Sequence, residues 1–224
     1  MRVICVKWGN KYGPEWVYRL KAAVKHWFRV DHEFVCLTDL PIKDVECVDC
    51  ESDGLPTWWS KVGLFRPGRF PGKNLYLDLD VVLTGPIDGL VNEFVPGKVV
   101  APDDFSYSLL NPKQGLGPSM RRLLGGAGTV NSSVMLWEGG DGAEVWRDFT
   151  AEKMSEVHGD QNWITQALWP DKLALLSPGW VQSYKYHYMR GDVGGPIVVF
   201  HGDPKVTQLP KSHPLRLEWS ACYE

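Results

Sequence analysis

The chain has 224 residues, of which 44% are hydrophobic and 23% charged, and its formal net charge is −3. These values are typical of a water-soluble globular protein with one sizeable core, and we expect a single domain over residues 1–224. The small negative net charge excludes a general basic field that would attract nucleic acid or anionic membranes. Binding of either would have to depend on local clusters of cations.

The N-terminus and the cysteine content predict a cytoplasmic protein. The apolar run at residues 3–6 is too short for the core of a signal peptide or for a membrane span, so we expect no membrane anchor. Five cysteines, an odd number, fit free thiols better than a disulfide framework. Cys47 and Cys50 have the spacing of half a zinc site, but no second pair follows, and we interpret them as structural.

The hydrophobic pattern alternates between strands and helices, as in α/β proteins. A strand is predicted at residues 3–6 and an amphipathic helix at residues 14–28. Residues 106–129 are rich in Gly, Pro, Ser and Arg without a clear period, which predicts a long functional loop. Further strands are predicted at residues 33–38, 45–48, 75–78, 133–137 and 197–200, and further helices at residues 58–65, 143–157 and 160–168.

Two carboxylates follow one of these strands. Residues 74–84 read Asn-Leu-Tyr-Leu-Asp-Leu-Asp-Val-Val-Leu-Thr, so Asp78 and Asp80 stand one residue apart among apolar neighbours. In a regular strand they would point to opposite faces, but where the backbone bends at a strand end both can converge on one cation. Carboxylates in apolar surroundings are costly to desolvate without a positive partner. The pattern predicts a divalent-cation site, and the alternative is an exposed Asp-x-Asp turn.

A second polar cluster follows the last predicted strand. His201, Gly202 and Lys205 stand in the sequence His-Gly-Asp-Pro-Lys. Imidazole is a common ligand of divalent cations, glycine lets the backbone approach a ligand closely, and lysine neutralises phosphate. A histidine in this position is by itself more often structural. Together with Asp78 and Asp80, however, these residues predict a site for a metal ion and a diphosphate.

Six motifs, in the same order, resemble those of GT-A fold glycosyltransferases over nearly the whole chain, and most closely those of glycosyltransferase family 8 and its small bacterial and phage relatives. Tyr12 follows the first strand, where the family has a tyrosine that stacks on uracil. Lys61 ends the sequence Trp-Trp-Ser-Lys and matches a basic residue that touches the donor. Asp78 and Asp80 match the family's Asp-x-Asp motif after Leu-Tyr-Leu.

The other three motifs lie in the second half of the chain. Asn131 begins the sequence Asn-Ser-Ser-Val-Met, where the family usually has Asn-Ala-Gly-Val-Met. Asp160 and Gln161 match the Asp-Gln pair that contacts the donor sugar. The closing His-x-x-Gly-x-x-Lys-Pro pattern of the family is contracted at residues 201–205, so the position that matches its lysine differs from the family's.

The resemblance implies a fold, a reaction and a set of site residues. The fold would be α/β, with a mixed Rossmann-like central sheet flanked by helices. The reaction would move a sugar from a nucleotide-diphosphate sugar, such as a UDP-sugar, to an acceptor hydroxyl with retention of configuration. Mn²⁺ or Mg²⁺ would be held by Asp78, Asp80 and His201, while Asp160 and Gln161 would act on the donor sugar. The donor-binding residues implied are Tyr12, Lys61, Asp78, Asn131, Gly202 and Lys205.

The acceptor is indicated only by the mixture of aromatic and basic residues in two segments. Residues 184–190 interleave aromatic and basic side chains, and the predicted loop contains Lys113, Arg121 and Arg122. This composition suits a nucleic-acid acceptor, for instance a hydroxymethylated base in phage DNA, and it equally suits stacking on a saccharide. It is also that of an ordinary solvated rim, and the sequence leaves the three interpretations open.

Two other classes of protein fit part of the pattern. A non-catalytic module that binds a sugar nucleotide or a carbohydrate would keep the fold without turnover, but it would have no need of costly clustered carboxylates. A metal-dependent nucleotidyltransferase shares the α/β layout and the metal requirement. Its Gly-rich basic loop after the first strand is missing from this sequence.

Overall fold

The computed structural model describes residues 1–105, 128–192 and 194–221, with the backbone of residues 110–111 and 115–116 in addition. The strands are β1 (Arg2–Lys7), β2 (Glu33–Thr38), β3 (Glu46–Asp49), β4 (Lys73–Leu77), β5 (Val81–Leu83), β6 (Val99–Ala101), β7 (Leu110–Asn111), β8 (Gly115–Leu116), β9 (Val134–Glu138), β10 (Leu173–Leu175), β11 (Val181–Ser183) and β12 (Ile197–Val199). The α-helices are α1 (Pro14–Trp27), α2 (Ala143–Arg147), α3 (Ala151–Glu156), α4 (Asp160–Leu168) and α5 (Pro214–Ala221).

A seven-stranded mixed sheet forms the centre of the fold. Its strand order is β10-β6-β9-β4-β1-β2-β3. Strands β4, β1, β2 and β3 are parallel to one another, whereas β9 runs antiparallel to both β4 and β6. The predicted α/β class with a mixed central sheet and flanking helices is therefore confirmed.

Both faces of the central strands are buried, as expected for a sheet covered on two sides. Along β1, Val3 and Cys5 contribute to one core cluster and Ile4 to the other, and all three side chains are fully buried. Helix α1 covers the first face, while α2, α4 and the 3-10 helix Thr57–Phe65 cover the second. Because the strands are held from both sides, their ends provide a rigid edge for side chains that follow them.

Helix α1 has clear start and stop signals. Gly13 is its N-cap, Pro14 occupies the first turn with the acidic Glu15, and the basic residues Lys25 and His26 lie in the last turn. Proline at the start and charges that oppose the helix dipole favour a helix in this register. Its apolar side chains recur at helical spacing and are buried: Trp16, Val17, Leu20 and Val24.

A second sheet has three strands in the order β11-β12-β5. Strands β11 and β12 are parallel, and β12 pairs antiparallel with β5. Strand β5 begins at Val81, directly after the second carboxylate of the Asp-x-Asp motif. This sheet therefore connects the carboxylate turn to the segment that follows β12 and contains His201.

Two predicted elements differ from the structure. The helix predicted at residues 143–157 is divided into α2 and α3, because Thr150 begins a new helix and its side chain accepts a hydrogen bond from the Lys153 N–H. The helix predicted at residues 58–65 is a 3-10 helix, Thr57–Phe65. Strands β5, β6, β10 and β11, each of three residues, were not predicted.

The remaining predicted strands and helices are confirmed with shifts of at most two residues at their ends. The loop predicted at residues 106–129 lies almost wholly outside the described residues. The strand before the carboxylates ends at Leu77, so that Asp78 lies just beyond it. The four cysteines within the described residues, Cys5, Cys36, Cys47 and Cys50, are free thiols, as predicted. Among the helices of the described residues, none has the length and apolar character needed to cross a membrane.

Candidate active site

The carboxyl ends of the neighbouring strands β1, β2 and β4 meet at one edge of the central sheet. Lys7, at the end of β1, is buried and donates a hydrogen bond to the Gly9 carbonyl at 2.8 Å. Asp39, after β2, accepts a hydrogen bond from the Gly9 N–H at 2.8 Å. These contacts fix the loop after β1, which contains Trp8, Asn10 and Tyr12, beside the carboxylates that follow β4.

Asp78 is the first of these carboxylates. Its backbone N–H donates to the Ser133 carbonyl at 2.9 Å, and its Oδ1 accepts a hydrogen bond from the Tyr76 hydroxyl at 2.5 Å. The Lys61 ammonium lies 3.0 Å from the same oxygen. Burial raises the pKa of Asp78, but Lys61 and the hydrogen bonds from Tyr76 and Lys61 outweigh this, and the pKa lies below its ordinary value. Asp78 is therefore a firmly ionised anion.

Asp80 follows in the turn before β5. Its Oδ2 accepts a hydrogen bond from the Tyr12 hydroxyl at 2.9 Å and contacts the Lys205 ammonium at 2.5 Å. Burial raises the pKa of Asp80 and the neighbouring charge of Asp78 raises it further, and Lys205 offsets this only in part. The two carboxylates thus lie close enough to repel each other, which is the condition under which a bound cation is favoured.

Lys61 joins two parts of the site. Its ammonium lies 3.0 Å from Asp78 Oδ1, 3.0 Å from Asp160 Oδ2 and 3.1 Å from Ser132 Oγ. The Ser132 hydroxyl in turn donates to Asp160 Oδ2 at 2.8 Å. Burial lowers the pKa of Lys61, but the two carboxylates outweigh it and hold the pKa above its ordinary value. Lys61 therefore links the Asp-x-Asp turn to the first residue of α4.

His201 lies after β12 between two aromatic rings. Its ring is nearly parallel to those of Phe105 and Tyr186, at centroid distances of 5.8 and 5.5 Å. Its Nε2 lies 2.6 Å from the Ser183 hydroxyl. Burial lowers the pKa of His201, and nearby cations, first Lys185, lower it further to about 4. The imidazole is therefore neutral near pH 7, the form that binds metal ions.

A cavity of about 290 Å³ opens between the loop after β1 and the 3-10 helix Thr57–Phe65. Its lining combines aromatic rings with the two carboxylates and two lysines, which is the usual composition of a site for a polar ligand with an aromatic part. Trp58 is 58% exposed at its rim. The lining residues are Val6, Trp8, Asn10, Lys11, Tyr12, Thr57, Trp58, Lys61, Tyr76, Asp78, Leu79 and Asp80.

The side chains present fit a hard divalent cation in part. Asp78 and Asp80 supply carboxylate oxygens, the ligands that Mn²⁺ and Mg²⁺ prefer, and their mutual repulsion would be relieved by a cation. Within the described residues, however, no three His, Cys, Asp or Glu side chains are arranged to hold a metal ion. The Nε2 atom of His201 faces Ser183 instead. The three-residue ligand set remains a prediction.

Only some of the predicted site residues face the cavity. Four of them line it: Tyr12, Lys61, Asp78 and Asp80. The others are not among its lining residues: Asn131, Asp160, Gln161, His201, Gly202 and Lys205. The Asn131 side chain is buried and accepts a hydrogen bond from the Ser133 N–H at 3.0 Å, which holds the turn before β9. Gly202 lies beside His201 with a φ of +67°. The predicted basic residues of the loop, Lys113, Arg121 and Arg122, lie outside the described residues.

Three site residues were not predicted. Tyr76 precedes Asp78 by two positions, and this spacing along a strand places both on one face, a signal that could have identified it. Ser132 bridges Lys61 and Asp160, and Ser183 faces His201. No spacing rule connects either serine with residues so distant in the sequence.

Similarities to known proteins come from solved structures alone, since no protein-family model matches the chain and the search of curated proteins found no match. The galactosyltransferase LgtC, solved with donor and acceptor sugar analogues, is 14% identical with a TM-score of 0.66, and the match covers 100% of this chain and 95% of LgtC. The glycosyltransferase GlyE of Streptococcus pneumoniae TIGR4 is 16% identical with a TM-score of 0.64. The bifunctional glycosyltransferase WbbM is 11% identical with a TM-score of 0.66.

These matches extend over nearly the whole described architecture. They cover 99% of this chain for both GlyE and WbbM, although the chain spans only 60% of the GlyE chain and 49% of the WbbM chain. At identities this low, the similarity concerns the backbone fold and not the side chains. The chain has the GT-A fold of these glycosyltransferases.

Proposed function

We propose that the chain is a glycosyltransferase that takes a sugar from a nucleotide-diphosphate sugar. The observation that carries this proposal is the cavity at the strand ends, which Lys61, Asp78 and Asp80 line together with aromatic rings. Lys61 is paired with Asp78, and Lys205 contacts Asp80. Aromatic rings can stack on a base, and the charged floor can hold a diphosphate. The GT-A fold supports the same interpretation, because the similar solved structures LgtC, WbbM and GlyE are glycosyltransferases.

Each residue of the site has a proposed role. Asp78 and Asp80 would hold Mn²⁺ or Mg²⁺, with His201 as the expected third ligand. When bound, the ion would neutralise the charge that develops on the leaving diphosphate. Tyr12 would pack against the base, and Lys205 would contact the phosphates after leaving Asp80. Gln161 would hold hydroxyl groups of the donor sugar.

Asp160 would also act on the donor sugar. Its Oδ2 is shared by Lys61 and Ser132, so its carboxylate is held in one orientation beside the Asp-x-Asp turn. A carboxylate fixed in this way suits hydrogen bonding to sugar hydroxyls better than attack on the anomeric carbon, because both of its neighbours reduce its nucleophilicity. The resemblance to family 8 implies retention, and we assign no nucleophile and no general base.

The overall transfer breaks the bond between the anomeric carbon and the diphosphate oxygen, and the electron pair stays with that oxygen. The acceptor hydroxyl oxygen forms the new bond to the anomeric carbon and gives up its proton to solvent or to the leaving phosphate. The acceptor would be a saccharide or a hydroxymethylated base in DNA. Aromatic and basic residues at positions 184–190 lie beside His201, which supports an acceptor approach from that side.

The test is release of nucleoside diphosphate from a panel of sugar nucleotides incubated with the protein and manganese, followed by assay with saccharide and hydroxymethylated DNA acceptors. We expect release from one nucleotide class and its loss in excess chelator. The anomeric configuration of the product, read by NMR, tests retention. Binding of sugar nucleotides without release would indicate a non-catalytic module, and no binding of any nucleotide would overturn the proposal.

A further inference from the structure

The turn after β12 brings a second lysine to the site. Gly202 has a φ of +67°, and a Cβ atom at this position would lie 3.0 Å from the Lys185 ammonium. The ammonium group therefore lies directly against the backbone of the His201–Gly202 turn. Its charge also acts on the His201 ring, whose pKa it helps to lower. The positive φ favours glycine here, and a side chain at this position would press on the lysine ammonium.

The two lysines at this turn have different surroundings. Lys205 contacts Asp80 Oδ2 at 2.5 Å and the Phe200 carbonyl at 2.7 Å, so its charge is balanced. Lys185 is half-buried, and within the described residues its ammonium has neither a hydrogen bond nor an ion pair. No described carboxylate therefore balances the charge of Lys185. An anion bound at this position would balance it.

The position of Lys185 favours the leaving group over the acceptor as that anion. Lys205 contacts Asp80, and Asp80 lines the cavity. An anion between Lys185 and Lys205 would therefore border the cavity in which we place the nucleotide. In the sequence, Lys185 belongs to the aromatic and basic segment that predicted acceptor binding, and here this one residue is assigned to the donor instead.

We propose that Lys185 binds the diphosphate of the nucleotide donor, as a second cation beside Lys205 at the Gly202 turn. This inference rests on the proposed function and adds a residue to it. Two cations on separate elements would hold the diphosphate from two directions, which orients it as well as neutralising it. Lys185 comes after β11 and Lys205 after β12, and because these strands are parallel, both lysines follow the same edge of their sheet.

The test compares binding of UDP, uridine and inorganic diphosphate by calorimetry in excess chelator, where only the cations of the protein act on phosphate. We expect the wild type to bind UDP more tightly than uridine. Lys185→Met should weaken binding of UDP and of diphosphate about tenfold or more, while uridine binding is unchanged. Lys185→Arg should restore most of the loss. Lys25→Met removes one charge from the exposed face of α1 and serves as the matched control.

Three results would overturn the inference. One is equal binding of UDP and uridine by the wild type, and a second is unchanged UDP binding by Lys185→Met. The third is an equal loss for UDP and uridine in that variant, which would indicate a structural effect. Turnover of a sugar nucleotide with any of these results would leave the proposed function intact. Conversely, a Lys185-dependent preference for UDP without turnover of any sugar nucleotide would support the diphosphate site and contradict the proposed transferase activity.

Discussion

At the scale of single residues, the site is a set of charges in which each carboxylate already has a lysine. Lys61 is shared by Asp78 and Asp160, and Lys205 is paired with Asp80. A ligand that enters must therefore exchange partners with these lysines. A diphosphate that enters with a divalent cation can make this exchange without changing the net charge of the site. The cation takes the place of a lysine at the carboxylates, and the lysine then pairs with the phosphate.

The first prediction concerns Asp80. Asp80→Asn keeps the size of the side chain but removes the charge, and we expect metal-stimulated donor hydrolysis to fall about 100-fold or more, since the ion stabilises the transition state by several kcal/mol. The rate should be measured against manganese concentration. Asp171→Asn, at an exposed position, is the control. Full wild-type activity in excess chelator would contradict the prediction.

The second prediction concerns Tyr12, whose ring packs at 4.7 Å from Trp16 and whose hydroxyl bonds to Asp80. If the ring holds the base, Tyr12→Ala should raise the donor KM by the equivalent of about 1 to 3 kcal/mol, the usual value of a base stacked on an aromatic ring. Tyr12→Phe keeps the ring and should change KM about twofold or less. An equal rise in both variants would assign the effect to the hydroxyl, and no rise in either would place the base elsewhere.

At the scale of elements, the segment that contains Lys61 depends on a buried ion pair. The Asp53 side chain is fully buried and accepts two hydrogen bonds from Arg69, at 2.5 and 2.8 Å, and one from Arg66 at 2.9 Å. A Cβ atom on Gly63 would lie 2.5 Å from the Asp53 carboxylate, so glycine is required for this close approach. These contacts fix both ends of the 3-10 helix Thr57–Phe65.

The third prediction follows from this ion pair. Asp53→Asn leaves the two arginines without a counter-charge, and we expect it to lower the free energy of unfolding by about 3 to 5 kcal/mol. Urea denaturation measures the change. The matched control is Asp148→Asn, which removes an exposed ion pair with Arg147 and should lower the free energy of unfolding far less. Similar decreases in the free energy of unfolding of the two variants would show that burial of Asp53 adds nothing to the stability of the protein.

At the scale of the whole molecule, the net charge of the protein affects which class of acceptor it can attract. A net charge of −3 gives no general attraction for DNA. We therefore expect the saccharide acceptor, with transfer that is insensitive to salt. The double substitution of Arg121 and Arg122 by Gln should leave this transfer unchanged.

A salt titration of turnover checks this fourth prediction. A DNA acceptor would instead give transfer to hydroxymethylated DNA that declines steeply with salt, and the double variant would reduce the slope by about one unit for each phosphate that is no longer neutralised. No transfer to DNA at low salt would exclude the nucleic-acid acceptor. Steep salt dependence with DNA, removed in the double variant, would contradict our expectation.

The sequence by itself determined the features that depend on local patterns. Apolar runs and capping residues located β1, α1, β2, β4, β9 and α4, and the Asp-x-Asp motif after an apolar strand located both carboxylates. The alternation of strands and helices was enough for the α/β class. These features are local, because a period or a cap involves residues within about two turns or one strand.

Only the tertiary structure decided which charges meet. The pairs Lys61–Asp160 and Lys205–Asp80 join residues separated by 99 and 125 positions, and no local pattern encodes such pairs. The short strands β5, β6, β10 and β11 form because neighbouring strands supply their hydrogen bonds, which a three-residue sequence cannot indicate. Likewise, the position of Lys185 at Gly202 follows from the pairing of β11 with β12, since strand pairing is set by the packed sheet and not by either sequence segment alone.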